Sequence, residues 1–221
     1  MDPDRFLFGS GAKRPTISEW AFAAAKLVAG LVTLFVVVLA PSQHDALAPW
    51  LVGWTGMLGV VMVLHFGLFH LLSCGYRRGG TSAVPIMNWP LASQSVAEFW
   101  GQRWNLAFRD LAHRWLFRPL VRPLGPAAAL WLAFLASGLV HDVVISLPAG
   151  GGYGLPTLYF LVQATAILVE RSRWGRAAGL DRGLRGRLFC LAMLLTPCRL
   201  LFHVPFLENV VNPFLRALGG V

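Results

Sequence analysis

Five apolar segments, each about the length a bilayer requires, leave this chain few folds to adopt. They run from about Ile17 to Ala40, Ala46 to Leu72, Pro126 to Pro148, Leu155 to Val169 and Leu188 to Leu207. Hydrocarbon offers no hydrogen bonds, so each segment must satisfy its own backbone and is expected to be helical. Pro41 closes the first run, and Pro126 and Pro148 stand where helices begin or stop. Pro197 and Pro205 predict a kinked or broken fifth helix. Lys26 interrupts the first run, near enough to its start to snorkel.

Charge agrees with this reading. Of 221 residues only 13% are charged and 56% are hydrophobic, where a soluble domain carries about twice that charged share. The net charge of +9 would suit a nucleic-acid binder, but no basic folded face or RNA-binding aromatic motif accompanies it. Seventeen of the 19 basic residues are arginine, the usage of a GC-rich genome. They also alternate between connections. The N-terminal tail, the Ser73–Gly125 connection and the connection between segments four and five together hold 16, against Arg216 alone on the other side. The positive-inside rule then expects a cytoplasmic N-terminus, an outside C-terminus and an odd number of spans, in a bacterial cytoplasmic membrane. The first apolar run is too long for a cleaved signal peptide.

The expected fold class is therefore an all-α integral membrane protein, a single domain of about five transmembrane helices with an interfacial or re-entrant amphipathic segment on the cytoplasmic side. That segment lies in the Ser73–Gly125 connection, from Ser95 to Leu120. Phe99, Trp100, Trp104, Phe108, Leu111 and Trp115 recur there at three-to-four spacing with Arg103, Arg109 and Arg114 between them. A basic, aromatic, amphipathic helix of this kind lies in the interface plane. Leu91 to Val96, preceded by Pro85 and Pro90, suits a re-entrant piece. Cys74, Cys190 and Cys198 form no zinc-like spacing. Cys190 and Cys198 stand eight apart on one helix, too far for a disulfide. No metal and no resident cofactor are expected.

Ionisable residues inside a membrane cost about 2.5–3.5 kcal/mol or more at its centre, so they point to function. His141 follows Ser137-Gly-Leu-Val in an otherwise apolar segment. One reading is a helix–helix hydrogen bond. The other is a desolvated, neutral imidazole able to take a proton from an alcohol. Asp142 points about 100° away on a helix and cannot orient His141. Ser137, at i−4, shares the face of His141. A Ser–His nucleophile is conceivable, yet without a G-x-S-x-G elbow packing or a backbone hydrogen bond is the better expectation. In the amphipathic segment Trp100 and Trp104 should stack at i, i+4. Asn105, with no local turn role, suggests a buried amide in need of a partner. Arg199 lies between two prolines and suits either a pair with Asp142 or a substrate carbonyl. His65 and His70 are poorly spaced for a shared metal, and His113 and His203 are expected at interfaces.

Ser95-Val-Ala-Glu-Phe-Trp-Gly-Gln-Arg-Trp-Asn105, with His141 standing 36 residues after Asn105 in Ser-Gly-Leu-Val-His-Asp, resembles the wax synthase-like branch of the membrane-bound O-acyltransferases. Pro85-Ile-Met-Asn-Trp-Pro-Leu91 and Leu201-Phe-His-Val-Pro-Phe206 fit the same pattern, so the likeness covers about residues 85–215. It implies acyl transfer from a thioester, acyl-CoA or an acyl carrier protein, to a lipophilic hydroxyl. His141 corresponds to the family's catalytic histidine and Asn105 to its second signature polar residue, with Trp100, Trp104, Arg103, Ser137 and Arg199 as substrate-contact candidates. Gln102 and Asp142 depart from the Arg and Glu usual in that branch. Simple counting sets His141 past the midplane, so a cytoplasmic donor needs a tunnel. The rival reading is a transport or accessory protein in which His141 and Arg199 line a polar pathway.

Overall fold

The computed structural model describes residues 13–38 and 49–219, and among these there is no strand. Arg5, Pro41–Asp45 and the start of the second expected segment lie outside the described residues. Three helices are long and apolar enough to cross a membrane: residues 17–36, 50–78 and 106–149. A bent pair, Gly183–Leu201 with Val204–Gly219, brings the number to four if it counts as one span. The described residues are thus those of a helical integral membrane protein with three or four such helices among them, where the hydrophobic runs of the whole sequence suggested five. The fourth expected run forms a helix of 17 residues, Leu155–Arg171.

The chain divides into two compact units, residues 1–87 with 207–221 and residues 88–206. In the first, α1 (Ile17–Val38) packs on α2 (Pro49–Val61), a π-helical turn (Met62–Leu68) and α3 (Phe69–Arg78). The packing is of the membrane type, in which small residues let backbones touch. A Cβ at Gly67 would lie 2.6 Å from Leu27 Cα. Lys26 does not snorkel. Its ammonium donates to His70 Nδ1, on α3, at 2.6 Å. His70 Nε2 in turn reaches Glu19 Oε1 at 3.3 Å, and the Arg77 guanidinium pairs with the same oxygen. Cys74 Sγ lies within 4.8 Å of ligand atoms of Glu19 and His70, a metal-like trio. Arg77 already donates to both Glu19 and Cys74 (3.6 Å to Sγ), so a guanidinium supplies the cation there.

The second unit begins with a short turn, Pro90–Ala92, then α4 (Val96–Glu98) and a π-helical turn (Phe99–Arg103). After a break come α5 (Leu106–Ala112), a π turn (His113–Phe117) and α6 (Arg118–His141), kinked at Gly125. The amphipathic segment is interrupted as expected, but its second half runs on into the membrane helix, residues 106–149. Another π turn, Asp142–Ser146, leads through α7 (Leu147–Ala149) to α8 (Leu155–Arg171). Beyond it lie α9 (Arg173–Ala177), α10 (Gly183–Leu195), α11 (Cys198–Leu201) and α12 (Val204–Phe206). The predicted break of the last apolar run falls at Phe202–His203. A final π turn (Leu207–Val211) and α13 (Asn212–Gly219) belong to the first unit. Leu139, Val140, Val143 and Val144 stay exposed around His141, a surface that suits lipid and not water.

Candidate active site

The site is organised by one stripe of α8. Thr157, Phe160, Gln163, Ile167 and Glu170 recur at three-to-four spacing and so share a face. Each meets a different piece of the two sequence motifs. At the start of the stripe, a Cβ on Gly138 would lie 2.6 Å from Thr157 Cα. The glycine of Ser-Gly-Leu-Val-His is therefore what lets α6 and α8 approach. Three residues on, the His141 ring sits against Phe160 with centroids 4.4 Å apart. Phe160 also contacts Trp100 (5.5 Å), which packs edge-on against Phe134 (5.8 Å). Trp100 Nε1–H donates to Gln163 Oε1 at 3.3 Å, and Gln163 Nε2 donates to the Met193 carbonyl at 2.8 Å. Ile167 joins Val96 and Phe99 in a buried cluster. At the far end the buried Glu170 carboxylate accepts from the Val96 and Ala97 amides, both at 2.8 Å.

His141 has a defined tautomer. Its Nδ1 lies 2.7 Å from the Ser137 carbonyl. A carbonyl only accepts, so Nδ1 carries the proton and Nε2 of the neutral ring carries the lone pair. Ser137 Oγ donates to the Ala133 carbonyl at 3.0 Å, the backbone role expected of it. Asp142 turns away, onto the start of α8. Its carboxylate accepts from Gly154 N (2.7 Å), Thr157 N (3.2 Å), Ser146 Oγ (2.9 Å) and the Thr157 hydroxyl. It is a helix N-terminal anchor. No ion pair joins it to Arg199, which is exposed. His203 is buried, and its Nε2 lies 3.1 Å from Ser146 Oγ.

Asn105 is not idle locally. Its backbone is left-handed (φ 41°, ψ 62°) and its side-chain oxygen accepts from Phe108 N at 3.3 Å, capping α5. Asparagine tolerates this conformation because its short amide bonds nearby backbone. The expected Trp100–Trp104 stack gives way to Phe99 on Trp104, with centroids 5.4 Å apart. The π turn explains it, since Trp104 N bonds Phe99 O at 2.9 Å and thereby aligns i with i+5. Arg103 is engaged internally. Its Nε donates to Glu98 (2.7 Å), and Nη1 reaches the Asn88 and Trp89 carbonyls (both 3.3 Å). It clamps Asn88 and Trp89 to the motif turn.

Residues 83–162, which contain both motifs, match the family described as Membrane bound O-acyl transferase family. The motif-bearing stretch is thus similar to the membrane-bound O-acyltransferases. The chain is 29% identical over 110 residues to the long-chain-alcohol O-fatty-acyltransferase of Simmondsia chinensis, covering 44% of this chain and 31% of that protein. It is 28% identical over 175 residues to Acetyltransferase eriL of Hericium erinaceus, covering 66% and 44%. It is 25% identical over 180 residues to the probable long-chain-alcohol O-fatty-acyltransferase 3 of Arabidopsis thaliana, covering 73% and 51%. The chain spans about a third to a half of the length of these curated relatives. No solved structure matches it.

Around this matched stretch, α8 brings His141 and Trp100 together through Phe160. Trp104 and Asn105 follow on the same motif turn. Phe160, Gln163 and Glu170 escaped the sequence reading, although Gln163 and Glu170 are polar residues in or beside an apolar run. The criterion that singled out His141, an ionisable group within an apolar run, passes over the amide of Gln163 and meets Glu170 only just past the end of its run.

Proposed function

We propose that this protein transfers a fatty acyl group from an acyl thioester, acyl-CoA, to the hydroxyl of a lipophilic alcohol within the membrane. The observation that carries the reading is the fixed tautomer of His141, whose Nδ1–H is held by the Ser137 carbonyl. That leaves Nε2 as the base. Nε2 takes the alcohol proton while the alcohol oxygen attacks the thioester carbonyl carbon. The tetrahedral intermediate collapses as its C–S bond breaks, and the thiolate recovers the proton from the imidazolium. Ester and free thiol leave. Asn105 is assigned to the developing oxyanion or the acceptor, through the N–H₂ end of the amide whose oxygen caps α5. The half-buried Trp100 and Phe134, backed by the buried Phe160 in the case of Trp100, suit an acyl chain better than a polar substrate. No resident cofactor or metal enters this scheme. A cytoplasmic N-terminus and a bacterial inner membrane complete the reading, and they rest on the arginine distribution alone.

The test is acyl transfer in membranes holding the wild type or His141→Ala, supplied with labelled acyl-CoA and a long-chain alcohol. Ester formation by the wild type and its loss in His141→Ala are expected. An active wild type matched by His141→Ala would remove His141 as the base.

A further inference from the structure

Between α8 and α10 lies a stretch with unusual charge. Arg171, Arg173, Arg176, Arg182, Arg185 and Arg187 are all exposed, and Asp181 is the one acidic residue among residues 171–187. The stretch is ordered by its own bonds. Ser172 Oγ accepts from Gly175 N at 3.0 Å to cap α9, and Arg176 donates to the Arg171 carbonyl at 2.6 Å. Gly183 N donates to Gln94 Oε1 at 3.0 Å. The arginines are thus displayed on a built surface.

Apolar groups stand among them. Trp174 is 73% exposed, Leu184 72% and Leu188 58%, and the Arg173 guanidinium lies 4.6 Å from the Trp174 ring centroid. A soluble polyanion would neutralise the arginines but leave these side chains in water. A bilayer surface serves both, with phosphates for the guanidinium groups and the acyl boundary for tryptophan and leucine. The stretch joins two apolar helices, Leu155–Arg171 and Gly183–Leu195, and so sits where they end.

We propose that the Arg171–Arg187 segment is a binding surface for anionic phospholipid headgroups, anchored by Trp174. The inference is independent of acyl transfer, since it rests on none of the motif residues.

The test uses the full chain reconstituted in phosphatidylcholine vesicles with trace spin-labelled phosphatidylglycerol or phosphatidylcholine. The motionally restricted signal reports preference for the anionic lipid. Arg173→Gln/Arg176→Gln/Arg182→Gln should lower that preference about fivefold or more, given the attraction of each basic group to an anionic surface. The corresponding Lys triple variant should keep it, and Arg118→Gln/Arg122→Gln should leave most of it. Unchanged preference in the Gln triple variant, or loss in the Lys variant, would overturn the assignment. So would full displacement of the labelled lipid by free pyrophosphate at constant ionic strength, which would make the surface a soluble-anion site.

Discussion

The rings of His141 and Phe160 face each other with centroids 4.4 Å apart and planes inclined at 42°. Phe160 is 3% exposed and comes from α8, so the wall beside His141 is set by a different helix from the one that carries the histidine. Phe160→Ala should therefore cost about 3–5 kcal/mol of stability as a cavity opens. It should also lower turnover, while Phe160→Leu recovers part of both. Thermal unfolding in detergent and initial rates check the pair.

Removing the proposed base, His141, should be cleaner. His141→Ala is expected to lower turnover about 10²–10⁴-fold, the usual contribution of a general base, with little change in unfolding temperature. Ser137→Ala should retain most activity, because its hydroxyl is engaged with the Ala133 carbonyl. Labelled acyl thioester should leave no adduct on Ser137, as judged by mass spectrometry of the quenched protein.

Asn105 combines backbone shape with a side-chain amide, and substitution separates them. Asn105→Gly keeps the left-handed backbone and should change stability by only a few tenths of a kcal/mol; Asn105→Ala should cost about 1 kcal/mol or more. If the amide meets the substrate, both variants lose activity alike. Activity retained in the glycine variant would reduce Asn105 to a cap.

Glu170 holds the start of the motif turn through two amides. Glu170→Ala should destabilise by about 1–3 kcal/mol, since it leaves buried donors unpaired. Hydrogen exchange at Val96 and Ala97 should rise well before exchange in the rest of the unit.

Gly138→Ala drives a methyl group against Thr157 Cα, at 2.6 Å. A cost of about 1–3 kcal/mol is expected from overpacking, with the unfolding midpoint in detergent as the measure.

Helices were legible in the sequence because apolar runs bounded by prolines have few alternatives in lipid. The broken last run is an example, announced by Pro197 and Pro205. His141 and Asn105 were legible as rare polar residues in apolar or aromatic surroundings. Partners were not. Lys26 looked like a snorkelling residue because its partner, His70, lies 44 positions away. Arg103 looked available because the sequence does not display carbonyl oxygens, and two of those it bonds belong to Asn88 and Trp89. Trp100 and Trp104 were paired on α-helical spacing, which a single π turn displaces by one residue. Each miss concerns a contact or a register set by three-dimensional packing, not by local composition.

The Asp142 carboxylate has a consequence for where α8 is able to begin. A helix of 17 residues rises only about 26 Å at 1.5 Å per residue, against a hydrocarbon layer about 30 Å deep. An uncovered helix start would have to reach water. With Gly154 N and Thr157 N bonded to a carboxylate, α8 needs none and is free to start below the headgroups. The bilayer beside it then meets a stretch of protein with less apolar height than its neighbours, and lipids with shorter chains are the better match there.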